Sequence, residues 1–373
     1  IEPLVQITTR TYNSTTDWSI YNLSEEQKEY IELAGYFGRG YPGHDNDRYW
    51  MAAQELIWEK VRNISVKFTT QNHGAGEEID ITKEKNEINN LIKNYKAVPS
   101  FAYTTLEGSM GQTITVEDTN GVLNDYNFSY NGKHQITKEN NILKITFTPN
   151  EINDEEITFE RTAYDNKSTV IYYNNNTQTY AKLRISNKQK FNIKIKSNGA
   201  TLKINKTGEQ LELNNASYKY NIIALPNVTF ALYANEDIKD SKGNIIYKKY
   251  SLISSLTTDS NGLATLSNLY YGKYFLIEGE SSGGNMVNNE KHYFEITKED
   301  NLLKEINLQN YLPKGKLEFT KTDYVNGNPV PETIIQIFTE DDRLVGTYET
   351  DKQGRVTIDN LFIGKYYIVE KII

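Results

Sequence analysis

The chain has no cysteine in 373 residues, and only 8 prolines, 4 histidines and 3 methionines. Without cysteine these residues hold no disulfide, no thiolate metal ligand and no thiol nucleophile. Multidomain extracellular proteins often rely on disulfides. Their absence leaves two settings: a reducing cytosol, or secretion by an organism that stabilises surface domains by other means. The histidines, His44, His73, His134 and His292, are scattered without ligand spacing, so neither a metal nor a cofactor is expected. Gly43–Asp47 resembles a calcium loop only superficially, because the later acidic ligands are missing; Asp45 or Asp47 is read as the cap of the helix that follows. Excess positive charge is lacking as well. A net charge of −8 argues against a nucleic acid or an anionic membrane surface as partner. No apolar run approaches the length that spans a bilayer, and the first residues carry no charged-then-apolar leader.

What is abundant points to sheets. The 28 tyrosines and many β-branched residues favour strands over helix bundles, and the length allows two or three domains. Asn-x-Ser/Thr triplets at Asn13, Asn63, Asn127 and Asn227 are read as chance in so Asn-rich a chain. Helical patterns are confined to the first hundred residues. One segment opens at Ser24 with an acidic first turn, with Tyr30, Ile31 and Ala34 on one face, and stops at Gly38 and Gly40. A second carries Trp50, Gln54, Ile57 and Trp58 along one side, and a third ends before Pro99. From Ser100 onward short alternating strands and polar turns such as Asp118–Gly121 take over. Residues 1–195 are therefore expected to form one α+β domain with a small helical lobe.

The rest reads as all-β and contains a repeat. Gly262–Glu278 and Gly354–Glu370 align without a gap, sharing Gly, Thr, Asn-Leu, Gly-Lys-Tyr and the final Glu. A strand with an internal lysine precedes each: Lys206 in one, Lys321 in the other. A lysine and a glutamate inside apolar strands are costly unless they meet a partner, and the same pair occurs twice. Units are expected at 196–313 and 314–373. The first is longer, its surplus falling before Pro226 and before Gly262, where surface loops accept insertions. The second is expected to be incomplete and to continue past Ile373, and the chain is read as a segment of something longer.

These two units resemble the prealbumin-like repeats of Gram-positive adhesins and pilins, known as CnaB or SpaA-type domains. The lysine strand, the GKYxxxE segment and Asn310 before the next unit carry the likeness. It implies β-sandwiches in which Lys206 attacks the Asn310 carboxamide, ammonia leaves, and Glu278 shuttles the proton. Burial of an amine and a carboxyl in an apolar core favours the neutral form of both, and enforced proximity makes a sluggish amide reactive. Each molecule reacts once, so no enzyme is expected. Lys321 and Glu370 are the equivalents in the second unit, whose asparagine would lie beyond Ile373.

In the first domain, Ala52–Glu59 resembles the Thr-Gln-x-x-Ile-Trp signature of bacterial thioester domains, with Ala53 where threonine is usual. The likeness implies that Gln54 is the acyl donor, that a cysteine stands just before Ile1–Glu2–Pro3, and that Tyr49, Trp50 and Trp58 shield the bond. As a whole the chain is expected to be mainly β: a thioester-type head followed by sandwich repeats, within a monomeric surface protein. Its location would be the Gram-positive cell wall, and its partner a host cell-surface or matrix protein reached through a lysine amine. Two rivals remain. One is a pilin-like stalk that binds without a reactive bond. The other is a glycan hydrolase using Asp45 with Asp47, or Glu117 with Asp118.

Overall fold

The computed structural model describes residues 11–71, 76–162, 167–174, 179–185, 188–214 and 216–371. The Ile1–Glu2–Pro3 run and His73 lie outside them. The fold is mainly β. Among the described residues the α-helices end at Lys96, and none is long and apolar enough to cross a membrane. Two compact units emerge, divided near residue 196; the short segments 107–112 and 147–153 go with the second unit.

Among the described residues the first unit has three α-helices, α1 (Glu25–Tyr36), α2 (Asp47–Arg62) and α3 (Thr82–Lys96). Ser24 closes a capping box with Gln27 at the start of α1, as the acidic opening predicts. At α2 the cap is Asn46, whose side chain accepts the Arg48 N–H; Asp47 is already the first helical residue, which corrects the assignment of the cap to Asp45 or Asp47. Leu33, Ala34, Phe37, Ala52, Leu56, Ile88, Ile92 and Tyr95 form the core between the helices. The sheets follow: Asp154–Arg161 pairs antiparallel with Lys190–Asn198, and Thr113–Glu117, Ile142–Thr146 and Gln135–Glu139 form another. Buried Arg161 joins the two halves of this unit. Its guanidinium donates to Asp125 (2.6 Å) and to the Ala97 carbonyl (3.3 Å), and lies 5.4 Å from the ring centroids of both Tyr95 and Tyr126.

In the second unit a long strand, Ala200–Asn214, is central to one sheet. It pairs antiparallel with Ser217–Ala224 and Leu263–Leu269, and parallel with Leu303–Gln309. The facing sheet runs Leu252–Thr257, Thr229–Ala234, Gly272–Glu280, His292–Ile296. Inward residues of both sheets, among them Ala200, Leu202, Ile204, Phe230, Leu232, Tyr274 and Leu276, fill the space between. The second repeat follows the same plan on a smaller scale, with Lys314–Thr320 against Arg355–Phe362 and Ile334–Thr339 between Leu344–Glu349 and Tyr366–Glu370.

The surplus residues of the first repeat are strands rather than loops. Those before Pro226 extend Ala200–Asn214 and Ser217–Ala224 into a hairpin, and part of those before Gly262 form the ribbon Ile238–Lys239/Ile245–Tyr247. The hairpin reaches the second repeat, where Tyr218 packs on the Ile335–Val356 core and Tyr220 donates to the Asn360 carbonyl (2.8 Å).

Candidate functional site

The shared residues of the repeat build the same corner twice. Lys206 donates its backbone N–H to the Gly262 carbonyl (2.7 Å) and accepts from Leu225 (3.0 Å); Lys321 does the same with Gly354 (2.7 Å) and Val330 (3.0 Å). The glycine is required there. Its φ is +72° at Gly262 and +66° at Gly354, and a Cβ would come within 2.3 and 2.4 Å of the lysine carbonyl oxygen. The shared tyrosine is also explained: Tyr274 donates to the Tyr270 carbonyl (2.7 Å) and Tyr366 to that of Phe362 (2.5 Å).

From this corner the side chains of Lys206, Glu278 and Asn310 converge. Lys206 continues the inward alternation of Ala200, Leu202 and Ile204, and Glu278 that of Tyr274 and Leu276. Asn310 directly follows the parallel strand, its N–H donated to the Thr207 carbonyl (2.9 Å). Lys206 Nζ lies 2.9 Å from Glu278 Oε2 and 2.5 Å from Asn310 Oδ1, while Asn310 Nδ2 donates to Glu278 Oε1 and to Ser281 Oγ (3.0 Å). The lysine and glutamate side chains are 1% and 0% exposed. Phe230, opposite Glu278 in the neighbouring strand, sets its ring centroid 5.7 Å from the amine. Burial pushes the Lys206 amine below the ordinary lysine range, against the opposing pull of Glu278. One carboxylate thus bridges an amine and the amide nitrogen next to it, an arrangement suited to amide exchange. Ser281 was missed in the sequence; nothing in its surroundings marks it.

The other predicted positions fall as follows. Lys321 Nζ meets Glu370 Oε2 at 3.0 Å, but in an open setting with side chains 32% and 51% exposed. In the head, Gln54 is half-buried and flanked one helical turn away by Trp50 and Trp58 on the same side of α2. Trp58 is 37% exposed, so it does not seal Gln54. Tyr49 belongs to a different, buried face of α2 with Ala52, Ala53 and Leu56. It donates to Glu87 and stacks on His44 at 3.7 Å, and that carboxylate with burial pushes its hydroxyl up to about 12. Trp50 is half-buried and edge-on to Phe68.

Three of the four carboxylates of the hydrolase rival are placed as follows. Asp118 is buried and accepts four backbone N–H groups, from Ser100, Asn120, Val122 and Leu123, at 2.7–3.0 Å. It organises its loop and has no free face, while Glu117 points to solvent. Asp47 pairs with Arg39 at 2.5 Å. Among the described residues no cluster of three or more His, Cys, Asp or Glu is placed to hold a metal.

The family model of the SpaA prealbumin-like fold domain matches residues 201–311 and again 315–372. No curated protein sequence matches the chain. Among solved structures, the Bacillus anthracis TIE protein is 17% identical, covering 94% of this chain and 67% of its own, with a TM-score of 0.39. The thioester domain of the Staphylococcus aureus TIE protein is 17% identical over 50% of this chain and 75% of its own, TM-score 0.38. The shaft pilin SpaA of Lactobacillus rhamnosus GG is 12% identical over 47% of this chain and 88% of its own, TM-score 0.22. At these identities and TM-scores the likenesses assign no role to any residue.

Proposed function

We propose that the first of the two segments matched by the SpaA prealbumin-like model, residues 201–311, joins Lys206 to Asn310 by an isopeptide bond, as part of the stalk of a bacterial surface adhesin. The observation that carries this reading is the sealed convergence of amine, carboxylate and carboxamide. The neutral Lys206 amine attacks Asn310 Cγ. Glu278 takes the proton from Nζ at Oε2 and returns one to Nδ2 from Oε1. A C–N bond forms, the Cγ–Nδ2 bond breaks, and ammonia leaves. No turnover follows, so the domain is a self-modifying structure and not an enzyme.

The first unit is the head of this adhesin. Gln54 supplies the acyl group of a thioester to a cysteine preceding Ile1, and a host amine displaces it; attachment to the Gram-positive cell wall belongs to the same reading. The sequence signature around Gln54, a half-buried residue on α2, supports this part.

Intact mass tests the stalk reading. The purified chain should weigh about 17 Da less than its composition, one ammonia, and Lys206→Ala should restore the full mass. Full mass in both would refute it. For the head, a chain extended upstream of Ile1 should gain mass with methylamine, and Gln54→Ala should not.

A further inference from the structure

One buried charge in the first repeat has no part in the reaction above. Glu209 lies three residues beyond Lys206 on the same strand, on the opposite face by the period-two alternation. Its carboxylate accepts the Leu312 N–H at Oε2 (3.0 Å) and meets Lys314 Nζ at Oε1 (2.7 Å). Lys314 in turn sits 3.9 Å from the Tyr220 ring centroid and is the first residue of the second repeat's opening strand. Asn285 fixes the Glu209 backbone, accepting its N–H and donating to its carbonyl, both at 2.9 Å. Gly208 makes room for this approach: a Cβ there would lie 2.9 Å from Asn285 Oδ1.

Leu312 and Lys314 belong to the segment that delivers Asn310. Apart from the Asn310 side chain, the contacts that hold that segment include the Asn310 N–H on Thr207, the Tyr311 carbonyl on the Met286 N–H, the Pro313 carbonyl on the Ile363 N–H, and the two to Glu209. Among these, the two contacts to Glu209 are charge-assisted, and charge-assisted hydrogen bonds are the stronger kind. At the corresponding place in the second repeat, three residues beyond Lys321, stands Tyr324, which is fully exposed.

Building on the cross-linking reading, we propose that Glu209 is a positioning residue for the reaction. It clamps residues 312–314 to the lysine strand, so that Asn310 is presented to Lys206 from the other face of that strand. Through Lys314 it also makes docking of the second repeat part of the same clamp. Formation of the bond is thereby coupled to arrival of the following domain.

The test follows ammonia loss by intact mass at intervals after a pulse of cell-free synthesis of the full chain. Glu209→Ala should slow the loss by about tenfold or more, since misplacing a reacting group by a fraction of an ångström has effects of that order. The pH midpoint of the rate should not move, because it belongs to Lys206. Glu209→Gln keeps an oxygen for the Leu312 N–H and should stay within about threefold of wild type, a smaller loss than removing the charge-assisted contact altogether. Should Glu209→Ala fail to fold, Lys314→Met should slow conversion and the neutral pair Glu209→Gln with Lys314→Met should recover it. Glu209→Ala converting at the wild-type rate, or both Lys314 variants doing so, overturns the positioning role alone. A wild-type chain that never loses ammonia overturns the cross-linking reading, and this role with it.

Discussion

The two repeats hold the same lysine–glutamate pair at nearly the same separation, 2.9 Å in the first and 3.0 Å in the second, on the same backbone corner. Their surroundings differ completely. Lys206 and Glu278 are sealed beneath Phe230 and joined by Asn310 and Ser281, all within a closed sandwich. Lys321 and Glu370 stand partly in water, with Ile335 where the first repeat has Phe230. The pair alone is an ion pair of little value when exposed, and burial without a third partner would make it a liability. On the cross-linking reading, what the first repeat adds to the pair is an enclosure and a carboxamide.

Removing Lys206 attacks the comparison most strongly. Its bond to Asn310 would close a loop of 104 residues, and loss of such a closure is worth roughly 4–5 kcal/mol in the loop-entropy account. Lys206→Ala should therefore lower the thermal midpoint of the second unit markedly, as read by calorimetry, and shorten its survival against protease. Phe230→Ile gives the first repeat the cover of the second. It should cost about 1–2 kcal/mol through lost packing and slow ammonia loss as water reaches the amine; an unchanged rate would show that the ring is only filler. Lys321→Ala should change stability by less than about 1 kcal/mol, with no change in mass deficit.

The pH dependence sharpens the same contrast. An unfolded lysine keeps its proton up to about 10.5, whereas buried Lys206 gives it up earlier. The rate of ammonia loss should accordingly climb as pH rises through the lowered folded value and be flat by the ordinary one. In an Asn310→Ala chain, which cannot react, the unfolded state binds more protons over that window, so stability should increase with pH there. A rate independent of pH, followed by mass, would place proton transfer elsewhere.

Two of the three converging residues, Lys206 and Glu278, were legible in the sequence as the wrong residues for their strands, while Asn310 came from the family resemblance. Lys206 interrupts an apolar alternation, Glu278 ends another, and the repeat shows both again. Two clusters were not legible. Ser281, Asn285 and Glu209 look like ordinary polar residues until strand register brings them to their partners. The surplus before Pro226 reads as a loop, since the packing of its hairpin on the second repeat, through Tyr218 and Tyr220, leaves no local mark in an alternating polar stretch. In the head, the periodicity of Trp50, Gln54 and Trp58 is real, but the buried stripe of α2 lies beside it, on Tyr49, Ala52, Ala53 and Leu56. Asp118 reads as a turn residue, and its four N–H contacts make it the centre of that turn.

The parallel pairing of Ala200–Asn214 with Leu303–Gln309 has a mechanical consequence. Tension on the chain enters this domain at its first strand and leaves just past Asn310. With the two side chains joined, the load crosses from one strand to its neighbour at Lys206, and everything between them is slack. Roughly 350 Å of contour length, from about a hundred residues at 3.3–3.6 Å each, is thus withheld from extension. Severed at that single linkage, the same domain would pay out this length like a shock cord; intact, it is inextensible.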